Sequence, residues 1–207
     1  MKATMRIRNF WQFHCAIGLL ASLAAACALA TSAPSFDCSR KINAAEKMVC
    51  ADATLATLDH KLGEVFARAA KTVPRDKNVA YFVVEQRDWV RSRDGCPQTH
   101  DPAACLSSVY RTRIAQLQGQ FGMVPSRGPF RFACDGSPPQ ELVVIWYDTD
   151  PPSGTLETAR GQRTLFAMPS ASGTRYVGDD VAFSEHEGTA NVVFGTNAQE
   201  LTCTLKK

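Results

Sequence analysis

Cys134 and Cys203 bracket the last third of the chain, and each falls on the apolar face of an alternating segment. Phe130, Phe132 and Cys134 share one face of the first segment; Leu201, Cys203 and Leu205 share one face of the last. Residues two apart on a strand point the same way, so two inward-facing cysteines on the terminal strands of one domain can meet. A bridge between them closes most of that domain into a loop. In the chain-entropy model this constrains the unfolded state by roughly 4 kcal/mol. The sequence therefore predicts a small all-β unit sealed by its first and last strands.

A disulfide requires an oxidising compartment, and the start of the chain supplies a route to one. Lys2, Arg6 and Arg8 precede an apolar run from about Ala16 to Ala30, which ends in Ala28-Leu29-Ala30. That is the pattern of a secretory signal peptide over residues 1–30, cleaved after Ala30, and the run is short for spanning a bilayer. Ala24-Ala25-Ala26-Cys27 is a weak lipid-attachment box, with Leu23 one place too early. The expectation is an exported, periplasmic protein, with a lipid anchor at Cys27 as the less favoured variant. Cleavage leaves Cys38, Cys50, Cys96, Cys105, Cys134 and Cys203, and six cysteines in an exported chain suggest three disulfides. Beside Cys134–Cys203, the other four are read as local pairs, Cys38 with Cys50 and Cys96 with Cys105.

The hydrophobic period changes near residue 125. Before it, Leu55, Leu58, Leu62, Val65, Phe66 and Ala69 recur at helical spacing, as do Phe82, Gln86, Trp89 and Val90, then Leu106, Val109, Tyr110, Ile114 and Leu117. A short helix from about Asn43 to Cys50 precedes them. Pro74 and Asp94-Gly95 end helices, and Asp101-Pro102 starts one. Phe121 to Pro129 is rich in Gly and Pro and reads as a linker. After it the period is two, with strands near 130–135, 141–148, 155–159, 163–168, 174–177, 180–184, 189–194 and 200–206. Seven or eight short strands with regular turns suggest a closed barrel or a sandwich. The expected fold class is α+β and multidomain: a signal peptide at 1–30, a disulfide-tied helical bundle at 31–120, a linker at 121–129 and a β domain at 130–207.

The formal charge of +3 hides a division. Residues 31–127 are net basic and residues 128–207 net acidic, so the mature chain is nearly neutral but dipolar. An acidic β domain speeds encounter with a basic partner. The basic residues of the helical half are scattered rather than clustered with aromatics, which argues against nucleic-acid binding. Ser172, Asp179 or Asp180, and His186 have the residue types of a hydrolytic triad, but no nucleophile elbow surrounds Ser172. His60, His100 and His186 lack metal-ligand spacing, and no cofactor motif is present. Trp89 and Trp146 read as core residues, and Arg87, Arg91 and Arg93 as a solvated helix face. The chain is therefore read as a binding protein with no enzymatic activity.

Two resemblances sharpen this. Residues 130–206 resemble the periplasmic and membrane-bound inhibitors of c-type lysozyme (MliC and PliC). The matching features are Phe132-Ala133-Cys134, the loop Ser172-Gly173-Thr174-Arg175-Tyr176, the apolar strand ending at Phe183, and the terminal Leu201-Thr202-Cys203-Thr204-Leu205. Residues 36–117 resemble the LprI-type lysozyme-inhibitor domain through Phe36 to Arg40, Ala45 to Asp52, Thr57 to Asp59, Glu85 to Cys96 and Ala103 to Leu117. The first resemblance implies an eight-stranded antiparallel barrel that plugs the lysozyme cleft with loops. Lysozyme cuts with two carboxylates, so a hydroxyl donor and a cation brought to them exclude the sugar. Ser172 matches the family's loop serine, Gly173 permits a tight turn, and Tyr176 braces the loop from within.

The second family motif departs here. An FW-x-K-G pattern is replaced by Phe183-Ser184-Glu185-His186-Glu187-Gly188. Ser184 stands at the tryptophan position and His186 at the lysine position. If His186 takes the lysine's part, inhibition strengthens as pH falls from about 8 to about 6, through the histidine range. Two readings from different classes follow: an envelope inhibitor of lysozyme, c-type by the resemblance, that protects the wall against a host or competitor, and a non-inhibitory scaffold or wall-binding protein that retains both folds.

Overall fold

The computed structural model describes residues 32–73, 77–136, 140–195 and 200–206. The expected signal peptide and the Cys27 lipid box lie outside the described residues.

Four helices come first: α1 (Ala44–Ala51), α2 (Ala53–Thr72), α3 (Lys77–Gly95) and α4 (Pro102–Gln120), with a short 3-10 turn at Cys96–Gln98. Their ends follow from local chemistry. The Asn43 side chain accepts from Glu46 N while the Glu46 side chain accepts from Asn43 N, a reciprocal capping box. Asp52 caps α2 by accepting from Thr54 N and Leu55 N. Asp101 caps α4, with Pro102 in its first turn. Val73 leaves α2 in an extended conformation, as a residue before proline favours. The apolar stripes converge on one core that includes Val49, Leu62, Val65, Leu106, Tyr110 and Leu117. Cys38–Cys50 and Cys96–Cys105 tie two corners of the bundle.

Polar groups are built into that core. Asp59 is buried and accepts from Ser35 N at 2.7 Å, Ser35 Oγ at 2.6 Å and Tyr110 Oη at 2.7 Å. Burial and the neighbouring Asp59 carboxylate push the Tyr110 phenol well above its usual range. Arg93 corrects the expectation of a solvated arginine face. It is only 7 % exposed, lies over the Trp89 ring at 5.7 Å, and donates to Asp94 from Nε and Nη2. Residues four apart share a helix face, so Arg93 falls on the inward side with Trp89 while Arg87 and Arg91 are exposed.

The second half is a closed antiparallel barrel of eight strands in sequence order. They are β1 (Ser126–Cys134), β2 (Gln140–Tyr147), β3 (Ser153–Thr158), β4 (Gly161–Ala167), β5 (Thr174–Val177), β6 (Val181–His186), β7 (Thr189–Phe194) and β8 (Glu200–Leu205). β1 pairs with both β2 and β8, which removes free edges. Cys134 and Cys203 are directly opposite in register and bonded. Leu142, Val144, Leu156, Leu165, Phe183 and Val192 fill the interior.

β1 begins earlier than the alternation indicates, so residues 126–129 of the expected linker are strand. The register slips between Arg127 and Phe130, where Gly128 has φ +115° and Pro129 has no N–H to give the ladder. A Gly-Pro pair inside a bulge reads as a linker because the two share composition. The connection from α4 is therefore short, and residues 31–207 form one compact unit. Gly119 makes close packing possible, since a Cβ there would lie 2.6 Å from the Tyr147 ring. α4 also packs on β3, where Ser153 and Thr155 are buried and bonded to Thr149 and Tyr147 respectively. Arg111 of α4 pairs with Asp150.

Candidate functional site

The residues singled out from the sequence gather at one end of β5 and β6. These strands pair antiparallel, Thr174 opposite Glu185, Arg175 opposite Ser184 and Tyr176 opposite Phe183. Ser172 and Gly173, just before β5, therefore lie beside the end of β6 that carries His186. Gly173 has φ +66°, and a Cβ there would lie 2.4 Å from Glu185 O and 3.3 Å from His186 Cβ. The position excludes other residues twice, by conformation and by contact with the neighbouring strand.

The loop is held from both sides. Ser170 Oγ donates to Ser172 O at 2.7 Å, and Met168 N donates to Arg175 O at 2.8 Å. Ser172, Thr174 and Arg175 are exposed. Tyr176 turns inward and stacks on Trp146 with centroids 4.2 Å apart, and Trp146 meets Phe183 edge-on at 5.5 Å. Trp146 sits against Gly154, where a Cβ would lie 2.4 Å from the indole. Burial raises the Tyr176 pKa, and the Arg127 charge opposes it.

The hairpin between β6 and β7 presents His186. Its two turn residues, Glu187 and Gly188, both have positive φ, 51° and 81°, the pattern of a tight two-residue hairpin turn. Glu185 faces Ala190 across the ladder, and its Oε1 accepts from Gly188 N at 2.7 Å. Two acids flank His186 in the sequence, and spacing alone does not distinguish them. Strand alternation, which turns residue 185 inward while 184 and 186 face out, is the signal that distinguishes them. Glu187 remains exposed, 3.8 Å from His186 Nε2.

The triad types are not assembled. Asp179 and Asp180 follow the far end of β5, away from Ser172 and His186, and Asp180 accepts from Arg163 Nε at 2.8 Å. The site offers an exposed hydroxyl, a guanidinium and an imidazole on one rim of the barrel. That set can donate to acidic groups of a partner. Arg175 and His186 lie on the same outer face as diagonal cross-strand neighbours, a spacing of about 7–8 Å.

Comparison with known proteins agrees with this architecture. Residues 132–201 match the family model described as membrane-bound lysozyme-inhibitor of c-type lysozyme, MliC. Over 164 residues, 79 % of this chain and 81 % of the relative, the chain is 27 % identical to Lipoprotein LprI of Mycobacterium bovis and of Mycobacterium tuberculosis. No solved structure gives a significant match. The chain is thus similar to LprI over most of its length and to the MliC family over its barrel. Among the described residues no helix is long and apolar enough to cross a membrane.

Proposed function

We propose that this protein is an envelope-associated lysozyme inhibitor that acts by occlusion, without turnover, through the barrel rim carrying Ser172, Gly173, Thr174, Arg175, Tyr176 and His186. The observation that carries the reading is the seating of Gly173 against the Glu185–His186 backbone. It joins the ends of two neighbouring strands into one donor surface. The match to the MliC family over the barrel supports lysozyme as the partner, c-type by the family's description.

In the mechanism, Ser172 donates to a cleft carboxylate and the cations beside it offset the charge. His186 supplies a cation only when protonated. Arg175 is permanently charged and on the same rim, so it takes the larger share of the lysine's role near neutral pH. Glu185 is engaged by the turn, which leaves Glu187 as the acid that opposes an acidic partner. The signal peptide at 1–30 and the domain division at 31–120 and 130–207 fit an exported two-part inhibitor.

Lysis of a peptidoglycan suspension by c-type lysozyme tests this. The wild-type protein at micromolar concentration should suppress lysis. Ser172→Ala and Arg175→Ala should each raise the half-inhibitory concentration about tenfold, equivalent to about 1.4 kcal/mol. His186→Ala should weaken inhibition less than Arg175→Ala does. Undiminished lysis overturns the inhibitor reading in favour of the second one, a non-inhibitory wall-binding protein, which the replacement of the family's Trp and Lys by Ser184 and His186 favours.

A further inference from the structure

The exposed apolar side chains of the barrel are not scattered. Among the described residues, the large exposed hydrophobics are Tyr81, Val83 and Val84 on α3, and Met168 (45 %) and Leu205 (37 %) on the barrel. Successive strands of an antiparallel barrel run in opposite directions. The β4–β5 connection, the β6–β7 hairpin and the end of β8 therefore open at one mouth. Met168 and Leu205 both lie at that mouth, which also carries Ser172 and His186. Single exposed apolar residues are ordinary, but two on one rim, on opposite flanks of a donor set, need a reason.

Met168 follows β4 and continues its register. Ala167 is opposite Tyr176, and Met168 N donates to Arg175 O at 2.8 Å, which puts Met168 directly opposite Arg175. Leu165 points into the core, so Met168, three residues on, faces outward as Arg175 does. Opposed residues on one face have Cβ atoms about 4.5–5.5 Å apart. The thioether and the guanidinium thus emerge side by side.

Leu205 ends β8 on the other flank. It shares the inward face of Cys203 but, as the last residue of its strand, opens onto the mouth. Its N donates to Gly188 O at 2.8 Å, and a Cβ on Gly188 would lie 3.8 Å from Leu205 Cβ. Gly188 is the second turn residue of the hairpin that presents His186. Four strand spacings of about 4.8 Å separate β4 from β8, too far for Met168 and Leu205 to shield each other. Arg175, Ser172 and His186 stand between them.

The order around the rim is apolar, then cationic and hydroxylic, then apolar. A groove with carboxylates on its floor and apolar or aromatic walls complements it. A groove that cleaves sugars has both parts, acids for the chemistry and rings for the sugar faces. In lysozyme the acid itself lies in an apolar pocket against a tryptophan. Methionine suits such a wall, because its thioether contacts ring edges favourably and its unbranched chain adapts to irregular surfaces. A uniformly charged protein face matches only the centre of the set.

We propose that Met168 and Leu205 are the apolar anchors of the lysozyme interface, seated on the two walls of the cleft while Ser172, Arg175 and His186 meet the carboxylates between them. This rests on the inhibitor reading above and adds to it the residues that grip the walls.

Calorimetric titration of c-type lysozyme with the purified chain tests this, at a temperature well below the Tm of every variant. Met168→Gln and Leu205→Thr should each raise Kd about fivefold. The double variant should raise it about twenty-fivefold, since the two positions are far apart and their effects add. Met168→Leu keeps the apolar contact and should stay within about twofold of wild type. A second measurement reads the contact directly. Hydrogen peroxide transfers one oxygen to the Met168 sulfur, giving the sulfoxide and water, and excess lysozyme should slow that reaction at least about fivefold. If Ser172→Ala weakens binding while Met168→Gln and Leu205→Thr bind as wild type does, the rim engages through its polar centre alone. The anchor proposal is then overturned and the inhibitor reading stands. Oxidation of Met168 at an equal rate in the complex also overturns the anchors. No binding by the wild-type chain overturns both.

Discussion

The two halves of this chain reach a single conformation by different means. The helical bundle buries charged groups, Asp59, Arg93 and Arg113, and satisfies most of their hydrogen bonds with neighbouring side chains. Its two disulfides span only 12 and 9 residues. The barrel's buried polar residues are neutral Ser153 and Thr155, which alternate with inward Leu156 and lie on the side packed by α4. Its one disulfide spans 69 residues and joins the first strand to the last. Helices satisfy their own backbones, so a bundle needs directional side-chain contacts to choose among packings. A barrel obtains direction from its ladder and needs closure instead.

The largest expected effect follows from closure. In the chain-entropy model, a loop of 69 residues is worth about 4 kcal/mol and one of 9 about 2.6 kcal/mol. Replacing Cys134 and Cys203 together by Ala should therefore cost more stability in urea unfolding than replacing Cys96 and Cys105. Equal losses would break the comparison, by showing that strand pairing alone closes the barrel.

The next effect tests the polar core. Asp59→Ala leaves Tyr110 Oη and both Ser35 donors without their common acceptor, at an expected cost of about 3 kcal/mol. Tyr110→Phe removes one donor and leaves Ser35 in place, so it should cost about 1 kcal/mol. The double variant should cost less than the sum of the two, because the pair shares one network. Strict additivity would mean that the network does not act as a unit.

A third prediction moves to the inhibitory rim. Gly173→Ala places a non-glycine residue in the left-handed region and its Cβ 2.4 Å from Glu185 O. The left-handed conformation alone costs about 1–2 kcal/mol, and the contact with the Glu185 carbonyl adds to it. The loop must shift away from His186, so the half-inhibitory concentration should rise at least about tenfold. Thermal unfolding and the lysis assay on the same sample separate the two. A loss of stability with full inhibition would show that the rim does not depend on this seating.

Most of the architecture was legible because each half obeys one period. The strands from 140 onward fall within two residues of their alternating segments, and all three disulfides match the cysteine reading. Legibility failed where a local rule has two meanings. Gly128-Pro129 means linker or bulge, and only the pairing with β2 decides. Arg93 means solvent or core, and only its place four residues after Trp89 decides. Ser172 and His186 were legible as one site through the motif.

The smallest effect sharpens the account of the barrel seam. Cys134–Cys203 closes β1 to β8 from within, and an ion cluster spans the same seam outside. Glu141 of β2 accepts from Arg131 of β1 at 3.1 Å and pairs with Lys206, just after β8, while Lys206 N donates to Arg131 O at 2.8 Å. The Lys206 ammonium first, then the Arg131 guanidinium, hold the Glu141 pKa below the usual carboxylate range. A depressed pKa means that the stabilisation is complete above the unfolded value and disappears as pH falls through the folded one. Glu141→Gln should therefore lower Tm slightly at pH 7, and the gap to wild type should close below about pH 4. The cluster is exposed, so high salt should also narrow the gap. With the disulfide reduced, more of the seam's strength rests on this cluster, and the same substitution should lower Tm further. If reduction leaves the Glu141→Gln effect unchanged, the inner and outer closures act independently.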